Sequence, residues 1–183
     1  MRKIRDHAQT RRAAPALFAL ACLFCACATA AAGQARGWVW QNPLPQGNAI
    51  NSVRFAADKR HGWAVGADGV ILRSDDGGFG WESQTSPATT TLYGLYVKDK
   101  RTAVAVGARG VVVTTEDGGD RWLLRRTNVR DHLSAVAFAG DGLRHGWAVG
   151  TYGSVVATDD GGRTWRAQTS HVRAHLYAVA FSD

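Results

Sequence analysis

Cysteine is confined to positions 22, 25 and 27, methionine to position 1, and glutamate to positions 82 and 116. Beyond residue 36 the chain therefore offers neither a disulfide framework nor a thiolate metal site. Two glutamates on separate segments are a poor basis for sialidase-like glycoside hydrolysis, which needs acidic groups in tuned environments on one face. No segment after residue 36 sustains a helical period. An excess of one charge is lacking too. The formal net charge is +7, but residues beyond 33 carry 17 basic against 14 acidic side chains. The basic balance thus belongs largely to the first residues, and no nucleic-acid partner is expected.

Those first residues have an organisation of their own. Arg2, Lys3, Arg5, Arg11 and Arg12 precede an apolar run from Ala13 to Ala32, which ends in small residues such as Ala28-Thr29-Ala30. Basic stretch, apolar core and an A-x-A site describe a signal peptide over 1–35, with a periplasmic or secreted mature chain. An uncleaved anchor and a lipoprotein site at Phe24-Cys25-Ala26-Cys27 are the alternatives.

What is abundant is repetition. Ser74-Asp-Asp-Gly-Gly-Phe-Gly-Trp81, Thr115-Glu-Asp-Gly-Gly-Asp-Arg-Trp122 and Thr158-Asp-Asp-Gly-Gly-Arg-Thr-Trp165 place their tryptophans 41 and 43 residues apart. Laid in register, each repeat contains four short strands. The first are 50–55, 92–97, 133–138 and, in a fourth unit, 176–181; the second are 62–66, 102–107 and 146–150. Gly-x-x-Gly turns lead to third strands at 70–73, 111–114 and 154–157, and the fourth strands begin at the three tryptophans. Short β-branched runs between glycine turns at this period predict an all-β propeller of four-stranded antiparallel blades, over about 49–86, 90–127 and 133–170. Trp38-Val-Trp-Gln41 repeats the W-x-x-Q of Trp81/Gln84 and Trp165/Gln168, so it reads as the last strand of a preceding blade. Three whole blades and two partial ones fall short of the roughly 4–8 of a closed ring. Part of a larger ring is expected over 36–183, with self-association of open edges as the alternative.

The phrase [S/T]-x-D-x-G-x-T-W resembles the Asp-box, or BNR repeat, of sialidases and sortilin-type receptors. Gly80 and Arg121 replace its threonine in the first two copies. With Trp38-Val-Trp-Gln-Asn-Pro-Leu-Pro-Gln-Gly-Asn48 and Gly62-Trp-Ala-Val-Gly66, residues 38–183 resemble the photosystem II stability/assembly factor family. The resemblance implies a seven-bladed exported propeller, acting without catalysis or cofactor on protein partners during membrane-complex assembly. A sialidase-like glycan-binding or glycan-hydrolysing propeller is one alternative; a gene fragment without activity of its own is another.

The boxes invite a metal reading, but they lack the alternating oxygen series and terminal glutamate of a calcium loop. A structural role is expected for Ser74, Asp76, Gly78 and Trp81, for Thr115, Asp117, Gly119 and Trp122, and for Thr158, Asp160, Gly162 and Trp165. Their carboxylates can accept backbone N–H bonds, their glycines can take positive φ, and their indoles can pack between blades. Antiparallel tracing puts these turns on one face of the disc and the second-to-third-strand turns and connectors on the other. That second face collects Arg109, Arg126, Arg130, Tyr152 and Arg173, with His132 and His175 from a repeated Val-Arg-x-His. A rim of arginines could clamp carboxylates on a partner; solvated loops without a partner are the plain alternative. His171 and His175 stand at metal-ligand spacing but on a loop, His61 and His145 read as structural, and no metal is expected. Arg125, in place of the W-x-x-Q glutamine, reads as a contact at the blade rim.

Overall fold

Runs such as Gly62-Trp-Ala-Val-Gly66 and Ala103-Val-Ala-Val-Gly107 are apolar at every position, because a strand sandwiched between two neighbouring blades has no solvent face. All five residues of each are buried. The computed structural model describes residues 47–140 and 144–181, which belong to one unit, Trp40–Asp183. The predicted leader and the Trp38–Gln41 strand lie outside the described residues. No helix among the described residues is long and apolar enough to cross a membrane.

Three four-stranded antiparallel sheets follow one another along the chain. Blade 1 contains β1 (Ile50–Phe55), β2 (Gly62–Gly66), β3 (Ile71–Ser74) and β4 (Glu82–Gln84). Blade 2 contains β5 (Leu92–Val97), β6 (Ala103–Gly107), β7 (Val112–Thr115) and β8 (Leu123–Arg125). Blade 3 contains β9 (Leu133–Ala139), β10 (His145–Gly150), β11 (Val155–Thr158) and β12 (Arg166–Gln168). Third and fourth strands start one residue later than the pattern suggests, since the box tryptophan itself belongs to the turn. The first strands β1, β5 and β9 line a central groove of about 650 Å³.

Residues 176–181, expected as another first strand, form no ladder. A first strand needs a second strand beside it, and here the segment is held by Leu176 N–H donating to Gly150 O and by Phe181 packing on Trp147.

The core lies between blades. Trp63, Val65 and Ile71 of blade 1 pack on Leu92, Leu95 and Trp122 of blade 2. Val104, Val106 and Val112 of blade 2 pack on Leu133, Phe138 and Trp165 of blade 3. One glycine position shows how closely the first and second strands of each blade approach. Gly66, Gly107 and Gly150 end the second strands, and a Cβ there would collide with the carbonyls of Ala49, Thr91 and His132. The same carbonyls accept the next residues' N–H groups, from Ala67, Ala108 and Thr151, at 2.8–2.9 Å.

Candidate functional site

Each box builds the same turn. The residue 74, 115 or 158 hydroxyl donates to Asp76, Asp117 or Asp160 at 2.8 Å, and itself accepts the N–H of Gly78, Gly119 or Gly162. The aspartates also accept backbone N–H groups of Gly80, Arg121 and Thr164. The N–H of Gly80 and the hydroxyl of Ser74 hold the Asp76 carboxyl below its ordinary range. Burial pushes Asp117 and Asp160 up, but hydrogen bonding outweighs it in both. Only the third box keeps its threonine, and the Thr164 hydroxyl donates to Asp160 Oδ2 at 2.6 Å. Asp160 accordingly lies at about 2.

The box indoles close the seams by two routes. Trp81 and Trp165 donate to the carbonyls of their own Gly78 and Gly162 at 3.1 and 2.9 Å. Trp122 instead reaches back to blade 1, where Gln84 Oε1 accepts its N–H at 2.9 Å and that of Trp63 at 3.2 Å. Blade 2 has Arg125 where Gln84 stands, so Trp165 finds no such acceptor. The expected rim contact of Arg125 is corrected: its Nε donates to Thr114 Oγ1 of its own blade at 2.9 Å.

At the opposite end, the second-to-third-strand turns meet the connectors. Asp68, Arg109 and Tyr152 sit at φ 53°, 57° and 56°, each followed by a glycine that also has positive φ. That pair of left-handed residues is the hairpin turn for which Asp-Gly or Asn-Gly is suited. The first turn obeys this preference, while Arg109 and Tyr152 hold bulky side chains in a backbone region that L-residues avoid. His132 Nδ1 accepts the Arg109 N–H at 3.2 Å, and the Tyr152 ring lies 5.1 Å from His175. Arg109, Arg126, Arg130 and Arg173 are exposed, and none forms an ion pair among the described residues. Asp68 and Asp131 are the acids on these turns and connectors. Contacts thus join Arg109 to His132 and Tyr152 to His175, while among the described residues no hydrogen bond or ion pair links Arg126, Arg130 or Arg173 to them.

The first-to-second-strand turns, which sequence reasoning passed over, place cations at the box end as well. Arg101 and Arg144 donate through Nε to the carbonyls of Glu116 and Asp159. Arg163 binds Glu116 across the blade 2–3 seam through two bonds of 2.9 and 3.0 Å, which hold the Glu116 carboxyl below its ordinary range. Arginine is therefore not restricted to the connector end. The equal offset of Arg60, Arg101 and Arg144 from the second strands was the available signal. His61 is bonded to Asp58 at 2.6 Å, whereas exposed His145 opens β10. No group of three potential metal ligands occurs among the described residues.

Radially arranged four-stranded sheets, each closed by an Asp-box turn, define an Asp-box β-propeller. The family described as "Photosynthesis system II assembly factor YCF48" matches residues 31–123 and 85–167, and the chain belongs to that family. A chloroplastic photosystem II stability/assembly factor HCF136 of Cyanidioschyzon merolae is 43% identical over 49 residues, covering 26% of this chain and 11% of that protein. The solved structure "YCF48 bound to D1 peptide" superposes with a TM-score of 0.61 at 22% identity, over 73% of this chain and 43% of that one. YCF48 from Cyanidioschyzon merolae gives 0.59 at 23% identity, over 71% and 42%. An ancestral GH74 enzyme shares the fold at 12% identity, with a TM-score of 0.55 over 66% of this chain and 18% of the enzyme. The chain thus spans less than half the length of the relatives it matches.

Proposed function

We propose that this protein is an exported, non-enzymatic assembly factor that holds an acidic segment of a membrane-complex subunit against its connector end. The observation that carries this reading is the row of exposed arginines at 109, 126, 130 and 173, which form no ion pair among the described residues, with two turns keeping Arg109 and Tyr152 in left-handed backbone. Strain retained in a bulky side chain marks a position where something other than stability is served. Guanidinium groups bind carboxylates through two parallel bonds, which fixes orientation as well as affinity. The relative bound to a D1 peptide makes such a peptide the natural first ligand. A non-catalytic role is supported by the engagement of the carboxylates, with Glu116 on Arg163 and the box aspartates inside their own turns. Export is supported by the leader pattern, and the mass of the mature protein from its native host tests it.

Fluorescence anisotropy of a labelled D1 peptide tests the binding reading. The chain should bind it, and a variant carrying Arg109→Ala, Arg130→Ala and Arg173→Ala should bind at least about tenfold more weakly, the loss of one charge-assisted hydrogen bond being enough. Equal binding by both, with β-sheet circular dichroism unchanged, would remove the connector end from the function.

A further inference from the structure

A cavity of about 460 Å³ opens at the box end of the blade 2–3 seam, away from the connector arginines. Lys98 follows β5, Arg144 precedes β10 and Arg163 belongs to the third box; all three line the cavity with Glu116 and Asp160. The acceptors are already occupied. Both Glu116 oxygens take Arg163. Asp160 Oδ1 takes Thr158 and the N–H groups of Arg163 and Thr164, and Oδ2 takes the Thr164 hydroxyl. Donors remain in excess. Among the described residues the Lys98 ammonium has no partner and Arg144 uses only Nε, at 3.4 Å on the Asp159 carbonyl. Arg163 retains Nη1.

The blade 1–2 seam serves as an internal control. Lys98, Glu116 and Arg163 correspond there to Ala56, Asp75 and Asp120, and only Arg144 keeps a cationic counterpart, in Arg101. In a repeat protein, structural positions recur from unit to unit, so a cluster peculiar to one seam calls for a separate explanation. Donor groups without acceptors, arriving from three separate segments, suit an anion with oxygens pointing several ways.

We propose that this cavity binds a phosphate-type oxyanion, held by Lys98, Arg144 and the free edge of Arg163. Lys98, Arg144 and Arg163 stand against the carboxylates of Glu116 and Asp160, so the lining keeps an excess of one positive charge, matching a phosphate monoanion. A planar carboxylate would engage one guanidinium edge and leave the remaining donors open. Lys98 and Arg144 are exposed, so binding weakens as salt rises.

The test is an NMR titration of the full chain with inorganic phosphate at low ionic strength, with acetate run in parallel at matched ionic strength. Saturable shifts are expected at the amides of Lys98, Gly161 and Arg163. Lys98→Gln and Arg144→Gln should each weaken binding by about tenfold, the worth of one charge-assisted hydrogen bond. Arg101→Gln at the first seam should leave it within about twofold. The connector variant described above should bind phosphate normally, so failure at one face is distinguishable from failure at the other. No saturation with phosphate, equal affinity for acetate, or indifference to Lys98→Gln would each overturn the assignment.

Discussion

Gln84 joins two buried tryptophans from different blades, and its replacement by alanine has a calculable consequence. Trp63 is fully buried and Trp122 is 4% exposed, so neither indole N–H can turn to water in place of Gln84 Oε1. A buried donor left without a partner costs about 1–3 kcal/mol. Trp122 has an escape that Trp81 and Trp165 already use, since its own box can offer the Gly119 carbonyl. Trp63 lies outside a box, and its indole N–H bonds to Gln84 alone among the described residues. The expected loss is therefore about 2–4 kcal/mol: the Trp63 penalty, lost packing at the seam, and partial rescue of Trp122. Gln168 is the matching position in blade 3, where it is exposed and bonds to no side chain among the described residues. Gln168→Ala should stay within about 0.5 kcal/mol. Urea unfolding followed by tryptophan fluorescence measures both. A loss below about 0.5 kcal/mol for Gln84→Ala, or equal losses for the two variants, would refute the claim that one glutamine fastens this seam.

Arg109→Asn and Tyr152→Asn should each stabilise the chain by about 0.5–1 kcal/mol, because asparagine tolerates the left-handed turn, and should weaken peptide binding; thermal melts and anisotropy read the two effects separately. Hydrogen bonding in its turn pulls the Asp160 carboxyl down to about 2, below the ordinary carboxylate range, so its folded pKa is depressed. Its contribution is present above about pH 4 and is lost as pH falls through about 2. Thr164→Ala should raise the Asp160 midpoint, which carboxyl NMR can follow. Glu116→Gln should cost less than about 1 kcal/mol, since the Arg163 pair is largely exposed and exposed pairs contribute little; a larger loss in chemical denaturation would mean that the pair fastens the second seam.

Blade architecture was legible because its causes are local. Glycine turns, β-branched runs and the box tryptophans each act within a few residues, and their period carries the fold. Boundaries shifted by one where Trp81, Trp122 and Trp165 serve the turn instead of the strand. Leu176–Phe181 has the pattern of a first strand, but a ladder depends on a neighbour that local pattern does not supply. The site was less legible. Arg109, Arg130 and Arg173 could be assigned to an end of the blade by strand tracing alone. Arg101 and Arg144 were missed because the turns holding them differ in length and composition between repeats. Gln84 could not have been foreseen as a double acceptor, since Trp122 meets it only after two blades have packed. Arg125 misled for a different reason, since its partner Thr114 lies on the adjacent strand of its own sheet.

Hydrogen exchange of the chain with and without a saturating D1 peptide tests the central claim most directly. The account predicts slowed exchange in the turns 108–110 and 151–153 and the connectors 126–132 and 170–175, with the box turns unchanged. Protection confined to the box turns, or none at any segment, would contradict it.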